Sequence, residues 1–207
     1  SKKTSLEWVV RQSAGDDNRN AAEFLGIDSE EPGLIFSRKE LLAAELLDLH
    51  PVDVIIDFSS QSGLNYYLDE ARKRKIKVIS AVSHYDARNK RALTRAAQDT
   101  LVVYSPNITL GINFLICAAK VLQNIAPFAD IEIIEEHFKD KSETSGTALR
   151  IADELSLDCD AVKTIRAGGI VGMHEILFGF PNQTVRLRHE SISREAFGNG
   201  VLFAIDN

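Results

Sequence analysis

The 207 residues carry 24 Lys+Arg against 30 Asp+Glu, a formal net charge of -6, and 44% of them are hydrophobic. That apolar share supports a buried core and excludes a disordered chain. The acidic balance argues against a nucleic-acid partner, which needs a basic face, and no apolar run approaches the roughly 20 residues of a membrane helix, so the chain reads as cytosolic.

In chain order, Leu6–Arg11 predicts a short strand, Gln12–Asn20 a polar loop, Ala21–Leu25 a helical turn and Leu34–Phe36 a second strand. Ser37 is expected to cap a helix over residues 38–49. Val52–Phe58 is almost continuously apolar and β-branched, as a strand covered on both faces reads. A helix over 64–74, a strand over 77–81, a helix over 89–99 and a strand over 101–104 follow. This alternation is the signature of βαβ units on a parallel sheet. The densest basic block, Arg72–Lys75, ends the helix over 64–74.

A change of rhythm near Asn107–Gly111 marks the expected domain boundary. A long helix (110–125), a strand (130–136), a polar loop (138–145) and a helix (147–155) precede strands over 161–167, 174–179 and 184–191, whose short gaps require an antiparallel or mixed sheet. Cys117 and Cys159 lack metal-ligand spacing and are expected as reduced thiols rather than as a disulfide.

Residues 135–148 read EEHFKDKSETSGTA, between a strand and a helix. His137 and Lys141 in a cleft at that strand end would supply a proton donor and an anion-binding ammonium. Ser145, Gly146 and Thr147 would place hydroxyls and unpaired N–H groups at a helix N-terminus, an anion site by construction. The alternative is a charged surface loop before an ordinarily capped helix. At the end of the first strand, Arg11 stands where a doubly wound dinucleotide fold reads the ribose; a guanidinium there suits a 2′-phosphate, hence NADPH, and a solvated strand-end arginine is the plain alternative.

This segment resembles the signature E-x-H-H-x-x-K-x-D-A-P-S-G-T-A of the 4-hydroxy-tetrahydrodipicolinate reductase (dihydrodipicolinate reductase) family. Glu135, His137, Lys141 and Ser145–Ala148 fall on it, Phe138 takes the second His, and Glu143-Thr144 shortens the Asp-Ala-Pro. Val54–Ser59 is similar to the family's V-x-I-D-F-[ST], Asn107–Asn113 to N-[FM]-S-x-G-[VI]-N, Ile165–His174 to R-x-G-x-[IV]-x-G-x-H, and Arg188–Gly200 to its closing H-x-A-x-S-R-x-x-F-A-x-G.

The resemblance implies an α/β chain with a Rossmann-like dinucleotide-binding domain (residues 1–109, with 195–207 returning to it) and an α+β substrate and oligomerisation domain (110–194) with a mixed open sheet. It implies reduction by NADPH or NADH of a cyclic imine or enamine dicarboxylate in lysine and diaminopimelate biosynthesis. A cofactor-less dicarboxylate-binding or regulatory paralogue is the alternative. His137 and Lys141 would handle the proton, Lys141 with Ser145, Gly146 and Thr147 would bind carboxylates, and Arg11, Phe58, Ser80, Ala81, Val82, Asn107 and Thr109 would line the cofactor. Arg194 would cross between domains, and Lys139 would compensate for Phe138. A homotetramer is the implied assembly, since long sheet edges are usually covered. His174 and His189 are expected as packed sheet residues, and His84 as a solvent-facing loop residue.

The family's opening strand and G-x-x-G-x-M-G loop have no counterpart, residue 1 is Ser, and the only methionine is Met173. The expectation is therefore a fragment of a longer reductase, with a decayed paralogue as the rival. The family's G-T-T-G stands here as Ser80–His84, whose side chains would narrow the nicotinamide end.

Overall fold

In the computed structural model, which describes residues 4–13, 15 and 19–207, the chain divides into two units, Ser1–Tyr104 and Ser105–Asn207. The first contains β1 (Trp8–Arg11), the short helix α1 (Ala21–Phe24), β2 (Leu34–Ser37), α2 (Ala43–Leu49), β3 (Val54–Asp57), α3 (Leu64–Arg74), β4 (Lys77–Ser80), α4 (Ala87–Ala96) and β5 (Val102–Tyr104). Of the loop expected over 12–20, residues 14 and 16–18 lie outside the described residues. All strand pairs in this unit are parallel, in two sheets, β1-β2 and β3-β4-β5.

The helix expected over 38–49 forms only as α2. Ser37 Oγ accepts the Lys39 N–H at 3.2 Å and its carbonyl accepts those of Glu40 and Leu41, which closes a turn that Ser37 caps instead of a helix. α2 then starts behind Leu42, whose N–H donates to Glu45 Oε2 at 3.3 Å. α4 starts two residues earlier than expected, because Asp86 Oδ1 accepts the Asn89 N–H at 2.7 Å and caps it. The basic end of α3 is laced to acidic neighbours, Arg72 to Asp99 at 2.7 Å, Lys73 to Glu70 at 2.6 Å and Arg74 to Asp48 at 2.7 Å.

Leu47, Ile55, Leu68, Val78 and Leu93 build this unit's core, with Trp8 packed against it. Inside lies one carboxylate, Asp57, at the end of β3. Its Oδ2 accepts the Tyr67 hydroxyl at 2.9 Å and the Tyr85 hydroxyl at 3.2 Å, and its Oδ1 accepts the Ser59 N–H at 2.8 Å and hydroxyl at 2.6 Å. Burial beside this carboxylate pushes both tyrosine hydroxyls up, well beyond their usual range. Asp57→Ala would strand three hydroxyls and is expected to cost about 2–4 kcal/mol. Urea unfolding followed by the fluorescence of Trp8, the single tryptophan, reads this; an unshifted midpoint would mean that water replaces the carboxylate.

The second unit contains α5 (Leu110–Ile125), β6 (Asp130–His137), α6 (Gly146–Glu154), β7 (Val162–Arg166), β8 (Met173–Phe180), β9 (Gln183–Glu190) and α7 (Glu195–Asp206). Its sheet has the order β7-β6-β8-β9, with β6 parallel to β7 and the other pairs antiparallel, the mixed sheet the short gaps require. Ile112, Leu115 and Ala119 of α5 and Ile151 and Ala152 of α6 bury Ile133, Ile176 and Phe178. The residues 195–207 expected to return to the first domain lie in the second unit. Gly200 allows it: a Cβ there would fall 2.0 Å from the Ile108 carbonyl oxygen, so only glycine lets α7 approach that backbone. The two cysteines are free and exposed.

Candidate active site

The site of the second unit grows from the end of β6. Ile133, Glu135 and His137 alternate onto one face and are buried, in a strand where residues two apart share a face. Register adds the neighbours, since Glu135 stands opposite His174 of β8 and His137 opposite Arg166 of β7. Four ionisable side chains thus meet on the face that α6 covers.

Glu135 is fully buried, and an ionised carboxylate there requires partners. Oε1 accepts the Ser145 N–H at 3.1 Å and Arg166 Nη2 at 2.7 Å; Oε2 meets Arg166 Nη1 at 2.9 Å and His137 Nδ1 at 2.5 Å. Burial pushes this carboxyl up, but the hydrogen bonds from Arg166, His137 and Ser145 outweigh it and hold it below the usual range.

His174 lies edge-on to His137 with ring centroids 5.4 Å apart, and its Nε2 is 2.9 Å from Ser145 Oγ. Burial, reinforced by the charges of its neighbours His137 and Lys141, pushes His174 down to about 3, so at neutral pH the ring is uncharged. Lys141 is half-buried in the loop after β6, and among the described residues its ammonium has no hydrogen-bond or ion-pair partner. Ser145 precedes α6, and with its own N–H taken by Glu135, the open N–H groups at that terminus include those of Gly146 and Thr147. Thr147 Oγ1 donates to Asn107 Oδ1 at 2.5 Å, and Asn113 Nδ2 donates to the Asn107 and Thr109 carbonyls at 2.7 and 3.0 Å. One side thus offers a free ammonium, two helix N–H groups and hydroxyls, and the other an imidazole backed by a carboxylate. The arrangement suits an anion that needs a proton.

His137, Lys141, Ser145, Gly146, Thr147, Asn107 and Thr109 are therefore gathered in one unit. Arg11, Phe58, Ser80, Ala81 and Val82 belong to the first unit, at or just after the carboxyl ends of β1, β3 and β4. The Arg11 guanidinium lies 5.2 Å from the Phe24 ring centroid and Phe58 is half exposed, but Ser80 is fully buried with its hydroxyl 2.8 Å from that of Tyr85. The Ser80 side chain is therefore spent on the core and offers a ligand no polar atom. His84 is exposed, as expected. His174 is a packed sheet residue and also a member of the site, whereas His189 lies against Gly111 of α5 with its Nδ1 buried and unpartnered. Arg194 is exposed, at the start of α7. Sequence reasoning assigned no role to Glu135 or Arg166. The available signal was a glutamate two residues before a histidine and two after Ile133, which places it on the buried face of the strand.

Two family profiles match the chain end to end: dihydrodipicolinate reductase, N-terminus, over residues 2–108, and dihydrodipicolinate reductase, C-terminus, over residues 107–207. A 4-hydroxy-tetrahydrodipicolinate reductase of Caldanaerobacter subterraneus subsp. tengcongensis is 33% identical over 174 residues, covering 73% of this chain and 69% of that protein. One from Pseudoalteromonas atlantica is 31% identical over 212 residues, covering 90% and 79%. Among solved structures, a dipicolinate-bound dihydrodipicolinate reductase from Paenisporosarcina sp. TG-14 superposes with a TM-score of 0.71 at 21% identity, over 97% of this chain and 83% of that one, a likeness of fold.

Proposed function

The chain belongs to the dihydrodipicolinate reductase family, NAD(P)H-dependent oxidoreductases of lysine and diaminopimelate biosynthesis, and on that premise we propose how its residues bind and protonate the cyclic dicarboxylate that is reduced from 4-hydroxy-tetrahydrodipicolinate to tetrahydrodipicolinate. The observation that carries the reading is the unpartnered Lys141 ammonium in the loop that leads to the open N-terminus of α6, in the unit where His137 is backed by Glu135. One carboxylate takes the Gly146 and Thr147 N–H groups and the Ser145 hydroxyl, and the other takes Lys141. Two fixed carboxylates orient the ring and convert part of their binding energy into alignment. The Paenisporosarcina protein, similar in fold, has dipicolinate bound, which supports a dicarboxylate ligand for this chain.

The cofactor residues fit a dinucleotide, because Arg11, Phe58, Ala81 and Val82 end or follow parallel strands at their carboxyl ends, where such ligands lie. Bound NAD(P)H supplies the hydride taken up at ring C4. The net change replaces the C4 hydroxyl by hydrogen, releases water and consumes one proton. His137 or the Lys141 ammonium delivers that proton, and Lys141 offsets charge developing on the ring. The test is NADPH oxidation by the intact protein with freshly generated substrate, together with calorimetric titration of dipicolinate. Neither oxidation nor binding would overturn the reading.

The ribose 2′-phosphate is assigned to Arg11, whose guanidinium lies over the Phe24 ring at the carboxyl end of β1. Arg11→Ala should lower NADPH affinity about 10- to 100-fold, the worth of one charge-assisted bidentate contact, with NADH binding hardly changed. Titrating both dinucleotides decides it; equal losses would mean that Arg11 supports the strand end only. The sheet face opposite α5 and α6 exposes Thr184, Arg186, Arg188 and Glu190 of β9, and the homotetramer implied by the family would cover such a face.

A further inference from the structure

Arg166 uses all five of its donors within a few ångströms of the site. Nε donates to the Lys141 carbonyl at 2.9 Å, Nη1 to Glu135 Oε2 at 2.9 Å and to the Ile165 carbonyl at 2.8 Å, and Nη2 to Glu135 Oε1 at 2.7 Å and to the Glu143 carbonyl at 2.9 Å. A guanidinium has five N–H donors in a rigid fork, so none is left for a ligand. Glu135 is equally saturated, with two partners on each oxygen. The pair therefore joins four things: β6, β7, the loop that carries Lys141, and the first N–H of the α6 terminus. Neither residue contacts the space where a substrate would sit.

We propose that Glu135 and Arg166 form a positioning pair for the reaction: Glu135 sets the ring tautomer of His137 by accepting its Nδ1–H, and Arg166 holds the Lys141 loop by its Lys141 and Glu143 carbonyls. The proposal rests on the functional reading given above. An ionised carboxylate accepts only, so the Nδ1 that faces it carries a proton, and Nε2 becomes the atom that exchanges protons with the site. His174, edge-on to it, and Glu135 are titratable groups that touch this ring, and the Lys141 charge acts on His174. Lysine in place of Arg166 would keep a charge but lose the planar fork, and could not meet a carboxylate and two loop carbonyls together.

The test uses the intact protein with its histidines ¹⁵N-labelled. Wild type should show a His137 proton on Nδ1, facing Glu135. In Glu135→Gln the amide carbonyl keeps the Ser145 N–H and the Arg166 Nη2 bond, the Nη1 bond is lost, and the NH₂ turned toward His137 should invert the ring to Nε2–H. A carboxylate-to-amide exchange of this kind behind a catalytic histidine costs about 10⁴ in a serine protease; here kcat should fall about 10²-fold or more while dipicolinate affinity stays within about threefold. Arg166→Lys should do the opposite, weakening dipicolinate about tenfold through the loosened Lys141 loop while His137 keeps its tautomer. A purely structural role would lower the melting temperature of both variants without moving the tautomer in one or the affinity in the other, and that result would overturn the proposal. The ring signals and dipicolinate binding need no turnover, so an inactive wild type would count against the reductase reading alone.

Discussion

Replacing Lys141 by alanine is expected to lower kcat/KM for the dicarboxylate by about 10² to 10⁴, the range for loss of a positioned proton-handling group. The reason lies in what surrounds it. Among the described residues the ammonium has no partner in the protein, so its charge is not consumed by structure. It nonetheless stands close enough to His174 to help keep that ring neutral. A half-buried, unpaired cation costs desolvation, which an anionic ligand returns. His137→Gln should mainly slow turnover, because Gln cannot carry a proton. Lys141→Ala should also weaken dipicolinate about 10- to 100-fold, as one charge-assisted contact is lost. Steady-state kinetics and calorimetry on the two variants check this; near wild-type kcat/KM in both would make the 138–145 loop a charged surface segment.

Acid should destabilise the second unit in a way that His174 governs. Its folded value is pushed down from 6.5 to about 3 by burial, so below pH 6.5 the unfolded chain takes up a proton that the folded one refuses. Stability from this group is complete above pH 6.5 and is lost as the pH falls toward about 3, by up to about 1.4 kcal/mol for each pH unit. Glu135, held below its usual 4.5, adds a loss of the same sign below that value. Between pH 6.5 and 4.5 the slope should therefore belong to His174, with a share from His189, which burial also pushes down, rather than to a carboxylate. His174→Gln keeps a partner for Ser145 Oγ and cannot titrate, so its stability should fall less steeply over that interval. Urea midpoints at half-unit pH steps, read by far-UV circular dichroism, test it. Parallel slopes for wild type and variant would mean that the ring finds water when protonated.

Much of the architecture was legible from local pattern alone. Val54–Asp57 reads as a strand from its β-branched run, although Ile56 is 42% exposed and only the face of Ile55 and Asp57 is covered, and the short gaps after residue 160 leave no room for crossovers, so the second sheet had to be antiparallel or mixed. The anion-binding character of Ser145–Thr147 was equally local, since a helix start exposes N–H groups whatever surrounds it. Helix starts were less legible, because a serine hydroxyl serves a turn as readily as a helix: Ser37 closes a turn, and Asp86 starts α4 early.

By itself, then, the amino-acid sequence determined the order of elements, the two-part organisation and the strand end and loop that carry His137 and Lys141, all of which follow from neighbours within a few residues. Only the tertiary structure decided which charges meet. Glu135, Arg166 and His174 lie as many as 39 residues apart by their numbers, and strand register across β7, β6 and β8 sets them on one face. The same holds for Ser80, whose hydroxyl turned to Tyr85 and the buried Asp57 rather than outward. It holds too for α7, which Gly200 seats against Ile108. In each case the deciding energy is the partnering of a buried polar group or the close approach of two backbones, and neither depends on the residues next in sequence.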